Sequence, residues 1–406
     1  MARPELAKHA GAARLSPTAA ELARARWATR ALFLSLGALC GSWGAHVPSV
    51  RSHYALGEGL LSLVLLAGAV GAVSALFFAG RVVGRWGARR AAAAAAVLLC
   101  LSLGLVLEYP GLWALLPGMV VFGASMSLFD VAINTEGSEL ESAGGRAVMS
   151  NLHGMFSVGG MVGAALVSAL LTQGVAPRHQ LWVVCAVLAL ASAWAARGML
   201  AAHAGAGDGA HEGSDSTGPA HFAWPRGLLL VIGLLIFAGM TAEGVMYDWC
   251  VLYLKQDVGL SQADAALGYA AFAGAMALSR FAGDTLRERF SERALLRCGG
   301  TLAAVAMAVV LLAADARVAL LGFALVGAGL APVAPILFNA ATRVPGVSRA
   351  AAIASVTSVG YSGFLVGPPL IGGIASVSSL SAALGVVVLS AGLLAVGARW
   401  VPQRAG

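Results

Sequence analysis

The chain has 406 residues, 59% of them hydrophobic and only 11% charged, with 52 glycines and a formal net charge of +7. A soluble globular protein carries about 25% charged residues, so the composition excludes an ordinary soluble domain and calls for many membrane spans. The positive balance is no nucleic-acid footprint either, because the basic residues follow membrane topology.

Residues 1–27 are rich in Ala and Arg and lack a small-residue cleavage site behind a short apolar core, so they read as a cytosolic tail. Apolar runs of bilayer-crossing length follow at roughly 29–50, 58–80, 90–108, 112–137, 147–172, 181–200, 227–254, 263–282, 294–313, 318–340, 350–375 and 379–400. The long polar break at 201–226 divides them six and six. Its Gly, Ser, Ala and acidic content cannot bury a core, which predicts a flexible cytosolic linker between bundles at 28–200 and 227–402. His203, His211 and His221 within it lack the spacing of a metal site. The predicted fold class is all-α, with twelve transmembrane helices in two six-helix bundles.

With both termini in the cytoplasm, all basic residues but Arg51, Arg178, Lys255 and Arg317 fall on the inner side, as the positive-inside rule requires. Cys40, Cys100, Cys185, Cys250 and Cys298 lie in or beside apolar runs without metal or redox spacing, and read as reduced core residues. No metal or cofactor is expected. Glycines serve mainly as close-packing surface between membrane helices.

The fourth span carries the most informative stretch, Leu128-Phe-Asp130-Val-Ala-Ile-Asn134-Thr-Glu136. Asp130 sits near the middle of an apolar run, where an ionised carboxylate costs a few kcal/mol, roughly 2.5–3.5 on insertion scales. It must face other helices or a wet cavity, and Asn134 is one turn away on the same face. Asp130 is the leading candidate for solute or proton binding, with a structural hydrogen bond as the alternative; Asn134 would hold a solute hydroxyl or pack between helices. Asn151 and His153 open the fifth span, and His153 can donate and accept together. Glu243, in the outer-middle part of the seventh span, is a second carboxylate for proton coupling or binding, and Trp249 a plane for stacking. Asp248 reads as a vestibule acid near the outer end, and Glu136 and Glu139 as gate or surface ion pairs.

The halves repeat. Arg81-Val-Val-Gly84 answers Arg280-Phe-Ala-Gly283, Gly123 answers Gly327 and Arg146 answers Arg349, at offsets of 199, 204 and 203 residues. Three matches in order at nearly one spacing argue for duplicated bundles, an arrangement that places a binding site where the repeats meet near the midplane.

Gly80-Arg81-Val-Val-Gly84-Arg85-Trp-Gly-Ala-Arg-Arg90 resembles the loop-2/3 signature of the major facilitator superfamily, with Gly84 where that family usually has Asp; Asp284 stands beside Gly283 in the second half. The resemblance implies a gating role for Arg81, Gly84, Arg85, Arg280 and Asp284. Within the superfamily the chain is similar to fucose permease-like sugar–proton symporters and their bacterial relatives. The matching residues are Asp130-x-x-x-Asn134, Asn151-Leu-His153-Gly-Met-Phe156 and Glu243-x5-Trp249-x3-Tyr253. One departure is Gly44, four residues before Pro48, where those symporters carry an acid. The resemblance implies a monomeric, multi-pass transporter in a bacterial inner membrane, moving a small polar solute with protons by alternating access. A drug or metabolite exporter is the alternative within transport, and a transporter-fold sensor the alternative outside it. There is no His-Glu-x-x-His pair, phosphate loop or Gly-x-Ser-x-Gly elbow to suggest an enzyme or direct ATP coupling.

Overall fold

The computed structural model describes residues 17–200 and 225–402, and its described residues form helices and connecting turns. Twelve helical stretches are long and apolar enough to cross a membrane. The predicted linker lies almost wholly outside the described residues, as do its three histidines.

The first bundle comprises α1 (Ala19–His53), α2 (Glu58–Trp86), α3 (Ala88–Gly104), α4 (Leu112–Gly144), α5 (Met149–Thr172) and α6 (Pro177–Ala196). The second comprises α7 (Leu228–Gln256), α8 (Gln262–Arg289), α9 (Glu292–Ala313), α10 (Ala316–Leu330), α11 (Val333–Ala341), α12 (Arg349–Val377) and α13 (Leu380–Gly397). Helix α1 starts well before its apolar run, inside the segment expected to be tail. Thr18 and Glu21 explain this: the threonine hydroxyl accepts from the Glu21 amide, and the glutamate accepts from the Thr18 amide at 2.8 Å. This reciprocal capping fixes the helix start independently of hydrophobicity.

The tenth span, expected as one helix, is two. The break falls at Ala331 and Pro332, between α10 and α11, because proline lacks the amide hydrogen and clashes with the carbonyl one turn back. Helices α2, α4 and α8 run beyond the expected spans, so Arg81, Gly84 and Arg85 are helical residues and not loop residues, while Arg280 lies inside α8.

The internal repeat is visible in the packing. Helix α1 packs on α5 and α6 as α7 packs on α12 and α13; α2 packs on α4 as α8 packs on α10; α3 packs on α4 and α6 as α9 packs on α10 and α13. Matched glycines make close approaches in both halves. A Cβ on Gly123 of α4 would run into the Gly68 carbonyl of α2, and one on Gly327 of α10 into the Phe272 carbonyl of α8. Between the bundles, α5 lies along α8, α2 along α12, and α1 against α7.

Cys100, Cys185 and Cys250 are buried and Cys40 is half-buried, as expected, but Cys298 is exposed on the outside of α9. An apolar run fixes membrane depth, not which face of its helix turns inward.

Candidate functional site

Asp130 and Asn134 share one face of α4. The Asn134 amide donates to the Asp130 carboxylate at 3.0 Å and to its carbonyl at 2.9 Å. Both residues are half-buried. Across the bundle interface, the Asp130 charge is felt at the Tyr361 hydroxyl of α12 and, beside it in the first bundle, at the Cys40 thiol of α1. The fourth-span carboxylate thus lies within electrostatic reach of a group on each bundle.

Opposite, Glu243 of α7 forms an ion pair with Arg280 of α8 at 3.1 Å, with the two side chains only 16% and 14% exposed. Tyr247, one turn along α7, donates its hydroxyl to Glu243 at 2.8 Å. Arg280 reaches across the interface as well: it donates to the Ser157 hydroxyl of α5 at 2.6 Å and to the His153 carbonyl at 3.5 Å. Its own carbonyl accepts from Ser150 at 3.1 Å. One guanidinium thus neutralises a carboxylate in its own bundle and ties two turns of the other. A buried pair of this kind holds only while both charges and their hydrogen bonds are present.

The remaining expected residues divide. The Asn151 side chain accepts from Arg30 of α1 at 2.8 Å, which makes it a tie between α1 and α5. The His153 ring packs edge-on against Phe33, centroids 5.4 Å apart. Trp249 is fully buried, with its indole nitrogen unpartnered, and borders a recess between α7 and α12. Glu136 is also fully buried and accepts from the Leu200 amide at 2.7 Å. It lies in the interior and not at the surface edge expected for it. Arg81 and Arg85 are exposed; Arg81 reaches the Phe77 carbonyl of its own helix at 3.4 Å, and Gly84 borders open space. The repeat partners Arg81 and Arg280 thus occupy opposite environments. The side chain of Asp284 lies outside the described residues.

Sequence reasoning missed Arg280 as the counterion of Glu243, Tyr247 as its hydroxyl partner, and Tyr361 as a group within reach of Asp130. Two signals were available: the Glu243-x-x-x-Tyr247 spacing, which shares a helix face, and an arginine inside an apolar run, which demands an acid. Gly44 also has a reason. A Cβ there would lie 2.5 Å from the Tyr269 ring and 2.7 Å from the Tyr247 carbonyl, so the second bundle occupies the space of an acid at that position.

At the end of the molecule carrying Arg51, the bundles are joined. Gln262 of α8 donates to the Ala45 carbonyl at 2.9 Å and to the Ser49 hydroxyl of α1 at 2.7 Å. Gly372 of α12 abuts Ser62 of α2. At the opposite end α5 and α8 stay together through Ser150.

Twelve membrane helices in two repeated bundles, with polar groups between them, define a solute carrier of the bilayer-spanning kind. The chain belongs to the Major Facilitator Superfamily, whose family profile matches residues 31–345 and 229–406. It is 37% identical over 377 residues to an uncharacterised MFS-type transporter of Yersinia pestis, covering 92% of this chain and 95% of that one. It is 30% identical to membrane protein MosC of Rhizobium meliloti, covering 89% and 86%. Among solved structures, the inward-open xylose transporter XylE from E. coli superposes with a TM-score of 0.73 at 14% identity, covering 95% of this chain and 97% of that one. The E. coli fucose:proton symporter FucP superposes at 0.63 and 16%, covering 93% and 98%. The nucleoside transporter NupG superposes at 0.70 and 14%, covering 92% and 97%. The chain is therefore a multi-pass membrane transporter of this superfamily.

Proposed function

We propose that the protein is a secondary transporter that moves a small polar solute, sugar-like or nucleoside-like, together with protons by alternating access. The observation that carries this reading is Asp130 with Asn134 on one bundle, within electrostatic reach of Tyr361 on the other. A carboxylate and an amide together offer acceptors and donors to a hydroxyl-rich solute. A carboxylate at membrane depth can also carry a proton across the cycle. The sugar and nucleoside transporters with which the fold aligns favour the same solute class. Arg280, held by Glu243 and bridging to Ser157, supports a gate that rearranges when the bundles rock.

The basic residues concentrate at the end carrying Arg81, Arg85 and Arg146, which supports a cytoplasmic face there, both termini in the cytoplasm and a bacterial inner-membrane location. On that orientation the joined end is the outer one. The bundle boundaries are read as 28–200 and 227–402, with 201–226 as the connecting linker and a monomer as the working unit.

The test is uptake into proteoliposomes of labelled L-fucose, D-xylose and uridine under an imposed pH gradient. Gradient-driven uptake of at least one solute, lost in Asp130→Asn, is expected. Unchanged gradient-driven uptake in Asp130→Asn would remove that residue from coupling.

A further inference from the structure

Asp248 has no part in the reading above. It is half-buried on α7, with the Trp43 indole of α1 beside its carboxylate. The titratable groups that feel its charge are the Cys40 thiol of α1, the Tyr269 hydroxyl of α8 and Cys250 on its own helix. Among the described residues, no arginine, lysine or histidine forms an ion pair with it. Asp130 acts on the same Cys40 thiol, which lies within electrostatic reach of a carboxylate from each bundle.

Beside Asp248, α7 and α12 leave a recess bordered by Thr241, Gly244, Phe364 and Pro368. Thr241 is 2% exposed and its hydroxyl has no hydrogen-bond partner. Pro368 has no amide hydrogen, which leaves the Phe364 carbonyl one turn back without its helical donor. A hydroxyl and a carbonyl in want of partners, next to a carboxylate, are suited to a single water, which needs two to four polar neighbours.

Glu243 is placed differently. Protonating it would strand the Arg280 guanidinium without a counterion in a poorly solvated site, and removing one partner of a buried pair is strongly unfavourable. Protonating Asp248 strands nothing. A coupling group has to change charge once in every transport cycle.

We propose that Asp248, rather than Glu243, is the second-bundle carboxylate that binds and releases the coupling proton. It takes the proton from water in the Thr241–Phe364 recess to become a neutral acid, and returns it to water when the opposite side opens. Asp130 is its counterpart in the first bundle. The proposal rests on the carrier reading, but its test does not need a solute.

The reporter is Trp43. Emission of the purified full chain in detergent is recorded between pH 5 and 9, and the spectrum of Trp43→Phe is subtracted, in sodium chloride and in choline chloride at equal ionic strength. A sigmoidal pH transition in the Trp43 difference signal, indifferent to sodium, is expected. It should vanish in Asp248→Asn, return at a displaced midpoint in Asp248→Glu, and persist in the double variant Glu243→Gln/Arg280→Gln. Size-exclusion elution and thermal unfolding establish that each variant is folded; the Asp248→Glu rescue keeps the test decisive if Asp248→Asn is unstable. A transition that survives in Asp248→Asn, disappears in the Glu243 double variant, or follows sodium at constant pH would overturn the proposal. If no solute is taken up in proteoliposomes while the Asp248-dependent transition stands, the transport reading fails and the proton site does not.

Discussion

Gly44→Ala tests whether the joined end of the molecule opens during the cycle. The new Cβ would lie 2.5 Å from the Tyr269 ring and 2.7 Å from the Tyr247 carbonyl, where ordinary contact begins at 3.4 Å. The ring can swing aside, but the carbonyl moves only with α7, so α1 and α7 must part by about 0.7 Å in a densely packed interface. Overpacking of this size costs about 1–3 kcal/mol. Helices α1 and α7 belong to different bundles, so the strain exists only while this end is closed. The closed-to-open ratio should therefore shift about 5- to 150-fold toward open. Nitroxide labels at Leu60 and Val377, which are 46% and 86% exposed near the meeting ends of α2 and α12, report the separation. In a background freed of native cysteines, Gly44→Ala should populate a longer distance. Gly392→Ala, which meets nothing within 4 Å, should leave the distribution unchanged. Identical distributions for Gly44→Ala and the parent would refute the argument that this contact belongs to one state only.

Three further outcomes follow from other contacts. Glu243→Gln leaves Arg280 uncompensated and should cost about 3 kcal/mol in denaturant unfolding, the low end of the range because the side chains keep 16% and 14% exposure; Glu243→Gln/Arg280→Gln should recover most of it. Glu141 accepts from the Val148 and Met149 amides at 2.6 and 3.0 Å and so caps α5; Glu141→Ala should cost about 1–2 kcal/mol and speed hydrogen exchange over the first turn of α5. Glu108, in the connection between α3 and α4, accepts from Trp182 at 3.0 Å and pairs with Arg178, and these hydrogen bonds hold its carboxyl below the usual range. A folded-state value below the unfolded one gives a contribution that is complete at neutral pH and lost as pH falls through the depressed value. Glu108→Gln should flatten that acid limb of a thermal-unfolding profile, and an unchanged acid limb would contradict the assignment.

The fold was legible in the sequence because hydropathy and charge placement are strong, repeated signals. Twelve apolar runs and the Gly123–Gly327 match correspond to packing of the same kind in both bundles. The site was legible only on one helix at a time. Asp130 and Asn134 share a turn, so their hydrogen bond followed from spacing. The partnership of Glu243 with Arg280 joins residues 37 apart on neighbouring helices, and no periodicity within a helix encodes which neighbour it meets. The full burial of Trp249 escaped the sequence for the same reason: depth in the membrane is written in the run, but the direction a side chain faces is set by neighbouring helices. Helix ends departed from the apolar limits where capping residues such as Thr18 and Glu21 fixed them.

The central claim is that one polar site between two bundles is reached from one side of the bilayer at a time, and solute counterflow tests it most directly. Proteoliposomes loaded with unlabelled solute are diluted into a trace of label with no pH gradient. The account predicts a transient accumulation of label above its equilibrium level, abolished when the two bundles are locked by a cross-link between Leu60→Cys and Val377→Cys. A smooth rise to equilibrium without overshoot, unaffected by the cross-link, would contradict it.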